Sequence, residues 1–229
     1  MVAWMNSVNF NFPLSPKKVD YLLYSQYGSR MNTRDEILRL GEELMRMQGF
    51  NAFSYYHLAD ALKVRPAAVH YHFPTKDALA LSIVNHSRET YHSFTEKVAL
   101  EPDPQKRFFK FVQIFSENAE AGKICLMGAA GADFYTFSED TRAAVRLLVS
   151  EIIDWLTVLL HDGRGSGDFT FEGTPHTRAL LIATNMAASL HMARILGKQE
   201  FQRIADQLIK DICPSRQSTA KSHSERKEK

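Results

Sequence analysis

Two cysteines, Cys125 and Cys213, are all that this 229-residue chain has of the residue that staples small secreted domains. Two thiols make no disulfide framework, and a reducing compartment suits them. No apolar run approaches the ~20 residues a membrane helix needs. The opening MVAWMNSVNFNFPLSPKK also lacks a signal peptide's basic start, unbroken apolar centre and small-residue cleavage site. The expectation is a cytoplasmic protein with no membrane partner. Missing too are a nucleophile elbow, a phosphate-binding glycine loop and an H-E-x-x-H pair. An enzyme with Cys125 as nucleophile and His86, His92 or His191 as base has no motif behind it, so no enzyme, cofactor or metal is expected. Nor is there a broad excess of cations. Residues 1–30 carry +2 and residues 214–229 carry +3, so against the total of +2 the body between them carries −3. Nucleic-acid binding by such a chain would rely on a docked element and a few placed cations.

What the chain does have is helical periodicity, with no convincing strand. Thr33 and Glu36 form a capping-box pattern. Ile37, Leu40, Leu44 and Met47 follow as an inward stripe, and Gly49 ends the helix. Asp103-Pro104, Ser138-Glu139-Asp140 and Thr174-Pro175 read as further helix starts. Residues 162–172 read as a glycine-rich loop, and 124–136 as a short helix whose Gly and Ala let neighbours approach. The count is about nine helices.

The most informative stretch is SYYHLADALKVRPAAVHYHFPTK, Ser54 to Lys76. It reads as two short helices, a tight turn between them and the start of a third. Ser54 is a good N-cap, and Leu58, Ala59 and Leu62 share one face. Lys63-Val64-Arg65 makes the turn and Pro66 suits the first helical position. Val69 and Phe73 point inward from the second short helix. Its other face carries Ala67, Ala68, His70 and Tyr71: small residues, then hydrogen-bonding tips. A helix with that outer face suits a major groove, which admits one α-helix. His70 and His72 are no metal pair, because residues two apart on a helix point in different directions. Tyr71 reads equally as a core aromatic or a phosphate contact.

The run from Gly49 to Leu79 resembles the DNA-binding domain of the tetracycline-repressor family of bacterial transcription regulators. Carrying the resemblance are Gly49-Phe50, Leu58-Ala59, His70-Tyr71-His72-Phe73 and Thr75-Lys76. The family usually has glycine where this chain has Lys63; if that position is left-handed, the lysine costs about 1 kcal/mol. Arg65 stands where a small capping residue is common. The resemblance implies an all-α homodimer that releases a palindromic double-stranded operator on binding a small effector. Its domains would be residues 31–77 for DNA and 78–213 for effector and dimer contacts. Residues 1–30 read as a disordered arm, an upstream extension before Met31, or a basic arm touching DNA. Residues 214–229 read as a disordered basic tail.

Under this resemblance Arg65, Ala67, Ala68, His70 and Tyr71 face bases or nearby backbone, while Ser54, Tyr55, His72 and Lys76 hold phosphates. The effector pocket would draw on His86, His92, Phe115, Cys125, Met127, Tyr135, Trp155, Asn185, Met186 and His191. Each of these, taken alone, also fits ordinary core packing. The dimer interface would be residues 174–213, where Ala183, Ala187, Ala188, Ser189 and Ala193 recur at helical spacing. Cys125 offers an alternative trigger, an electrophile- or redox-sensing thiol, beside its reading as an inert buried one.

Overall fold

The computed structural model describes residues 32–213. The expected N-terminal extension and basic tail lie outside them. The described residues form nine α-helices and two 3-10 turns, with no strand among them. In order these are α1 (Thr33–Gln48), a 3-10 turn (Phe50–Ala52), α2 (Tyr55–Leu62), α3 (Pro66–His72), α4 (Lys76–Ala99), α5 (Pro104–Glu120), α6 (Leu126–Ala132), a 3-10 turn (Phe134–Thr136), α7 (Glu139–Gly165), α8 (Pro175–Leu196) and α9 (Lys198–Ile212).

Most helix starts follow from local capping chemistry. Asp103 accepts from the Gln105 and Lys106 amides at 2.9 and 3.3 Å, ahead of Pro104 at the first helical position. Ser138 caps α7 by accepting from Thr141 N–H, and Thr174 caps α8 by accepting from Thr177 N–H. Each such bond satisfies an amide that the first helical turn leaves unpaired. Two sequence expectations need correction here. In α1 the inward methionine is Met45, fully buried, whereas Met47 is partly exposed. Helix α7 runs through His161 to Gly165, into the stretch expected as loop. Gly163 fits inside it because the Phe169 ring occupies the space a side chain would need. A Cβ there would sit 2.2 Å from Phe169 Cδ2.

Helices α1–α3 pack as a small bundle against the first turns of α4, sharing Ile37, Leu58, Val69, Phe73, Leu79 and Ile83 as fully or almost fully buried side chains. Helix α4 then continues unbroken along α7. A bidentate pair fixes that contact: Arg88 donates to both carboxylate oxygens of Glu151 at 2.8–3.0 Å, and His92 Nε2 lies 3.0 Å from the same group. The Arg88 guanidinium holds the Glu151 carboxyl below its usual range. Helix α8 packs between α7 and α9. Ala183, Ser189 and Ala193 are buried in that packing, so these three small residues serve contacts within the chain.

Candidate nucleic-acid interface

The local sequence builds α2 and α3 as expected, including the awkward turn between them. Lys63 closes α2 at φ 56 and ψ 37, the left-handed conformation glycine adopts without strain. Its Nζ lies 3.3 Å from Asp60, a fully exposed pair of little energetic weight. Ser54 is the N-cap of α2, and its backbone N–H donates to His57 Nδ1 at 3.1 Å, the reciprocal bond of a capping box. Arg65 occupies the N-cap position of α3 without a side-chain bond to the helix, leaving its guanidinium outside.

Val69 and Phe73 turn α3's apolar side into the core, while Arg65, Ala67, His70 and Tyr71 are exposed. Tyr71 is 83% exposed, which excludes the core reading. Ala68 and His72 are half-buried at the edge of the same face, and the His72 ring meets Tyr71 edge-on at 5.1 Å. Ser54 is half-buried at the entry to α2. Beside this surface stand Tyr56 and His57, both exposed, which sequence reasoning passed over. Their signal was available, because they occupy the side of α2 opposite Tyr55, Leu58, Ala59 and Leu62.

Two expected phosphate contacts are placed elsewhere. Tyr55 is only 7% exposed. Its hydroxyl lies 2.9 Å from the Phe73 carbonyl and 2.6 Å from that of Thr75, bracing the end of α3 from below. Burial pushes its pKa up to about 12, so it stays a donor. Lys76 donates to the carbonyls of Phe50 and Phe53, and its ammonium lies 4.5 Å from the centroid of each ring. Burial lowers its pKa, and the Asp133 charge partly restores it. With these contacts the ammonium faces inward, so Lys76 ties the 3-10 turn to α4 and does not reach for phosphate.

That turn is also held from the other side. Asp133, which ends α6, accepts from Phe50 N–H at 2.7 Å and Asn51 Nδ2 at 2.8 Å. Asp77 in the first turn of α4 accepts from Ser138 N–H and Thr141 Oγ1 at 2.9 and 3.0 Å, and from Ser138 Oγ. Burial alone would raise the Asp77 carboxyl, but these hydrogen bonds carry it below its usual range.

The expected effector residues are not gathered into one place. His86, His92, Tyr135 and Asn185 are exposed, Tyr135 to 90%, and Asn185 donates to the Leu181 carbonyl of its own helix. Phe115 and Met186 are buried and Trp155 is half-buried, within the core that includes an aromatic cluster of Tyr91, Phe94, Phe111, Phe115 and Trp155. Met127 is half-buried near the start of α6. Buried Cys125 and exposed His191 flank Gly128: a Cβ added there would lie 3.5 Å from Cys125 Sγ and 3.4 Å from His191 Nε2. Cys125 is the N-cap of α6, its sulfur accepting from Gly128 N–H at 3.3 Å. Burial pushes its pKa up against that bond and the nearby Arg46 charge. Two open grooves of about 360 Å³ each are also present. One lies between α4 and α5 beside Phe94, Val98 and Ile114, the other between α8 and α9 beside Leu181, Ile204 and Leu208.

Residues 37–83 match the family described as bacterial regulatory proteins, tetR family. Over that segment the chain is similar to tetR-family regulators. The HTH-type transcriptional repressor NemR of Escherichia coli (strain K12) is 25% identical over 165 residues, which is 69% of this chain and 83% of that protein. A TetR-family transcriptional regulator from Agrobacterium tumefaciens superposes with a TM-score of 0.74 at 22% identity, covering 79% of this chain and 97% of that one. AibR, solved with isovaleryl coenzyme A and operator DNA, superposes at 0.60 with 16% identity, covering 77% and 95%. The fold shared with these structures therefore extends past the matched segment through the remaining helices.

Proposed function

We propose that this protein is a ligand-responsive transcriptional repressor, working in the cytoplasm, that grips operator DNA as a homodimer and lets go on binding a small effector. The observation that carries the reading is α3: a short helix braced from below by Tyr55, with Arg65, Ala67, His70 and Tyr71 free on its outer face. Ser54, Tyr56, His57 and His72 stand beside it for the DNA backbone. The repressor NemR and the operator-bound AibR, which resemble this chain, support the same class of activity. Residues 31–77 would hold the DNA, and residues 78–213 the effector and the partner subunit. A two-fold dimer reads two half-sites, which gives one short helix enough sequence to be specific. Effector release requires a differential affinity for the state that does not bind DNA.

The test is selection of bound duplexes from a random pool. Enriched sequences should be inverted repeats, and Ala68→Glu, which places an anion where α3 meets the groove, should abolish their recovery. Enrichment of the same repeats by Ala68→Glu would refute the assignment of α3.

A second reading makes Cys125 the sensing group, favoured by its place at the N-terminus of α6, where its sulfur accepts from Gly128 N–H. The Cys125 sulfur would then bond to the β-carbon of an unsaturated aldehyde as its C=C π bond breaks, with the thiol proton ending on the α-carbon, and the adduct would free the operator. Release by the aldehyde that persists in Cys125→Ser, or no release from the wild type, removes this reading.

A further inference from the structure

The DNA-reading segment holds few permanent cations. Between residues 49 and 76 the chain has Lys63, Arg65 and Lys76 against Asp60, a net charge of +2. Lys76 faces inward and Lys63 is paired with Asp60. The same 28 residues hold three of the chain's nine histidines: His57, His70 and His72.

These three are not equivalent. His57 Nδ1 already accepts the Ser54 backbone N–H, so a proton placed on that nitrogen would break the cap of α2. His70 is exposed, and its ring faces the Tyr55 ring edge-on at 4.7 Å. His72 lies against Tyr71. The other charged or titratable groups on packed elements are engaged elsewhere. The Tyr55 hydroxyl points to the carbonyls of Phe73 and Thr75, and Asp60 to Lys63. Arg34 of α1 lies over the Phe73 ring, 5.2 Å from its centroid, and 4.0 Å from Asp35. Neither His70 nor His72 has a carboxylate partner among the described residues, so nothing there competes with DNA phosphate for their protons.

We propose that His70 and His72 are the protonation-dependent DNA contacts of this protein, so that DNA is held more tightly as pH falls towards 6. The inference rests on the DNA-binding reading above. A phosphate beside an imidazole raises its pKa, so binding takes up protons. The sign follows: affinity rises as pH drops through the window between the free and DNA-bound values, and flattens on either side. Each imidazolium also displaces a counterion, adding about 0.9 to the salt slope on duplex DNA.

The experiment is fluorescence anisotropy of the full chain with a mixed-sequence 30-base-pair duplex between pH 6 and 8, at several salt concentrations. Affinity should rise roughly tenfold or more from pH 8 to pH 6, with the salt slope steeper by about 2 at the acid end. His70→Gln/His72→Gln should still bind at pH 8, keep wild-type helicity and lose most of the pH dependence. His57→Gln should keep it. A flat wild-type profile overturns the proposal while leaving DNA binding intact, as does an unchanged profile in the double variant. No binding to the duplex at any pH would overturn the DNA-binding reading as well.

Discussion

Lys63 is the one non-glycine residue at positive φ among the described residues. Its strain is compensated by no buried contact, because its ion pair with Asp60 is fully exposed. Lys63→Gly is therefore expected to raise stability by about 1 kcal/mol, or roughly 2–4 °C in Tm for a chain of this size. A thermal melt followed by circular dichroism checks it; a lower Tm would show that the lysine contributes more than its contacts suggest. The converse holds for Tyr55. Its single hydroxyl proton is shared between two carbonyls that hold the end of α3, so Tyr55→Phe leaves both without that donor. The expected loss is about 1–3 kcal/mol, read as a lower denaturation midpoint with an unchanged m-value. The outer face of α3 was legible in the sequence because Val69 and Phe73 fix which side is buried. The inward turns of Tyr55 and Lys76 were not. A hydrogen-bonding side chain at the edge of a DNA-binding motif suits a phosphate or a neighbouring carbonyl equally well, and only the position of Phe50, Phe53 and Phe73 decides between them.

The helix starts were similarly legible, since Asp103, Ser138 and Thr174 cap through their own next few residues. Helix ends were less so. A glycine near the end of an apolar stripe reads as a stop, yet Gly163 is required inside α7 because Phe169 packs on it. Gly163→Ala should displace that ring and cost about 1–3 kcal/mol. Combining it with Phe169→Ala should cost less than the two changes summed, a coupling that a double-mutant cycle measures. The ties at the N-terminal end of α4 and along its flank lead to a pH expectation. Asp77 and Glu151 both have folded pKa values below the ordinary carboxylate range. Their stabilisation is complete above about pH 5 and is lost as pH falls through the folded values. Asp77→Asn/Glu151→Gln should therefore lose less Tm than the wild type between pH 6 and pH 4. A parallel decline would assign the acid sensitivity to other groups. Neither tie was visible in the sequence, because the partners lie 59 to 64 residues apart.

For the molecule as a whole, α8 carries apolar residues beyond the side it buries, and α5, α7 and α9 cover only part of it. Leu181, Thr184, Asn185, Ala188, Met192 and Ile195 remain exposed at helical spacing. Leu181, Ala188, Met192 and Ile195 exposed along one helix suit a partner, and a second copy of the chain would meet the two-fold demand of the proposed palindromic site. Of the alanines expected there, Ala188 is exposed whereas Ala187 is half-buried within the chain, so Ala188→Arg is the decisive change. It should convert dimers to monomers in light scattering at micromolar concentration while leaving helicity intact. A wild-type monomer would remove the dimer from the proposed function.

The stretch from Asp133 to Thr141 ends in two carboxylate-and-hydroxyl clasps that hold the helices proposed to read DNA. Asp133 pins the turn before α2, and Ser138 and Thr141 pin the root of α4. Mechanically these are two pivots on one short crank, with Cys125 at the far end of the same α6 rod. A small rotation of α6 would pull both pivots at once, so the reading helices would swing as a rigid paddle and keep their own packing. Hydrogen exchange gives that geometry a signature. On release from DNA the amides of Phe50 and Ser138 should lose protection together, while the Val69 and Phe73 amides inside the paddle keep theirs.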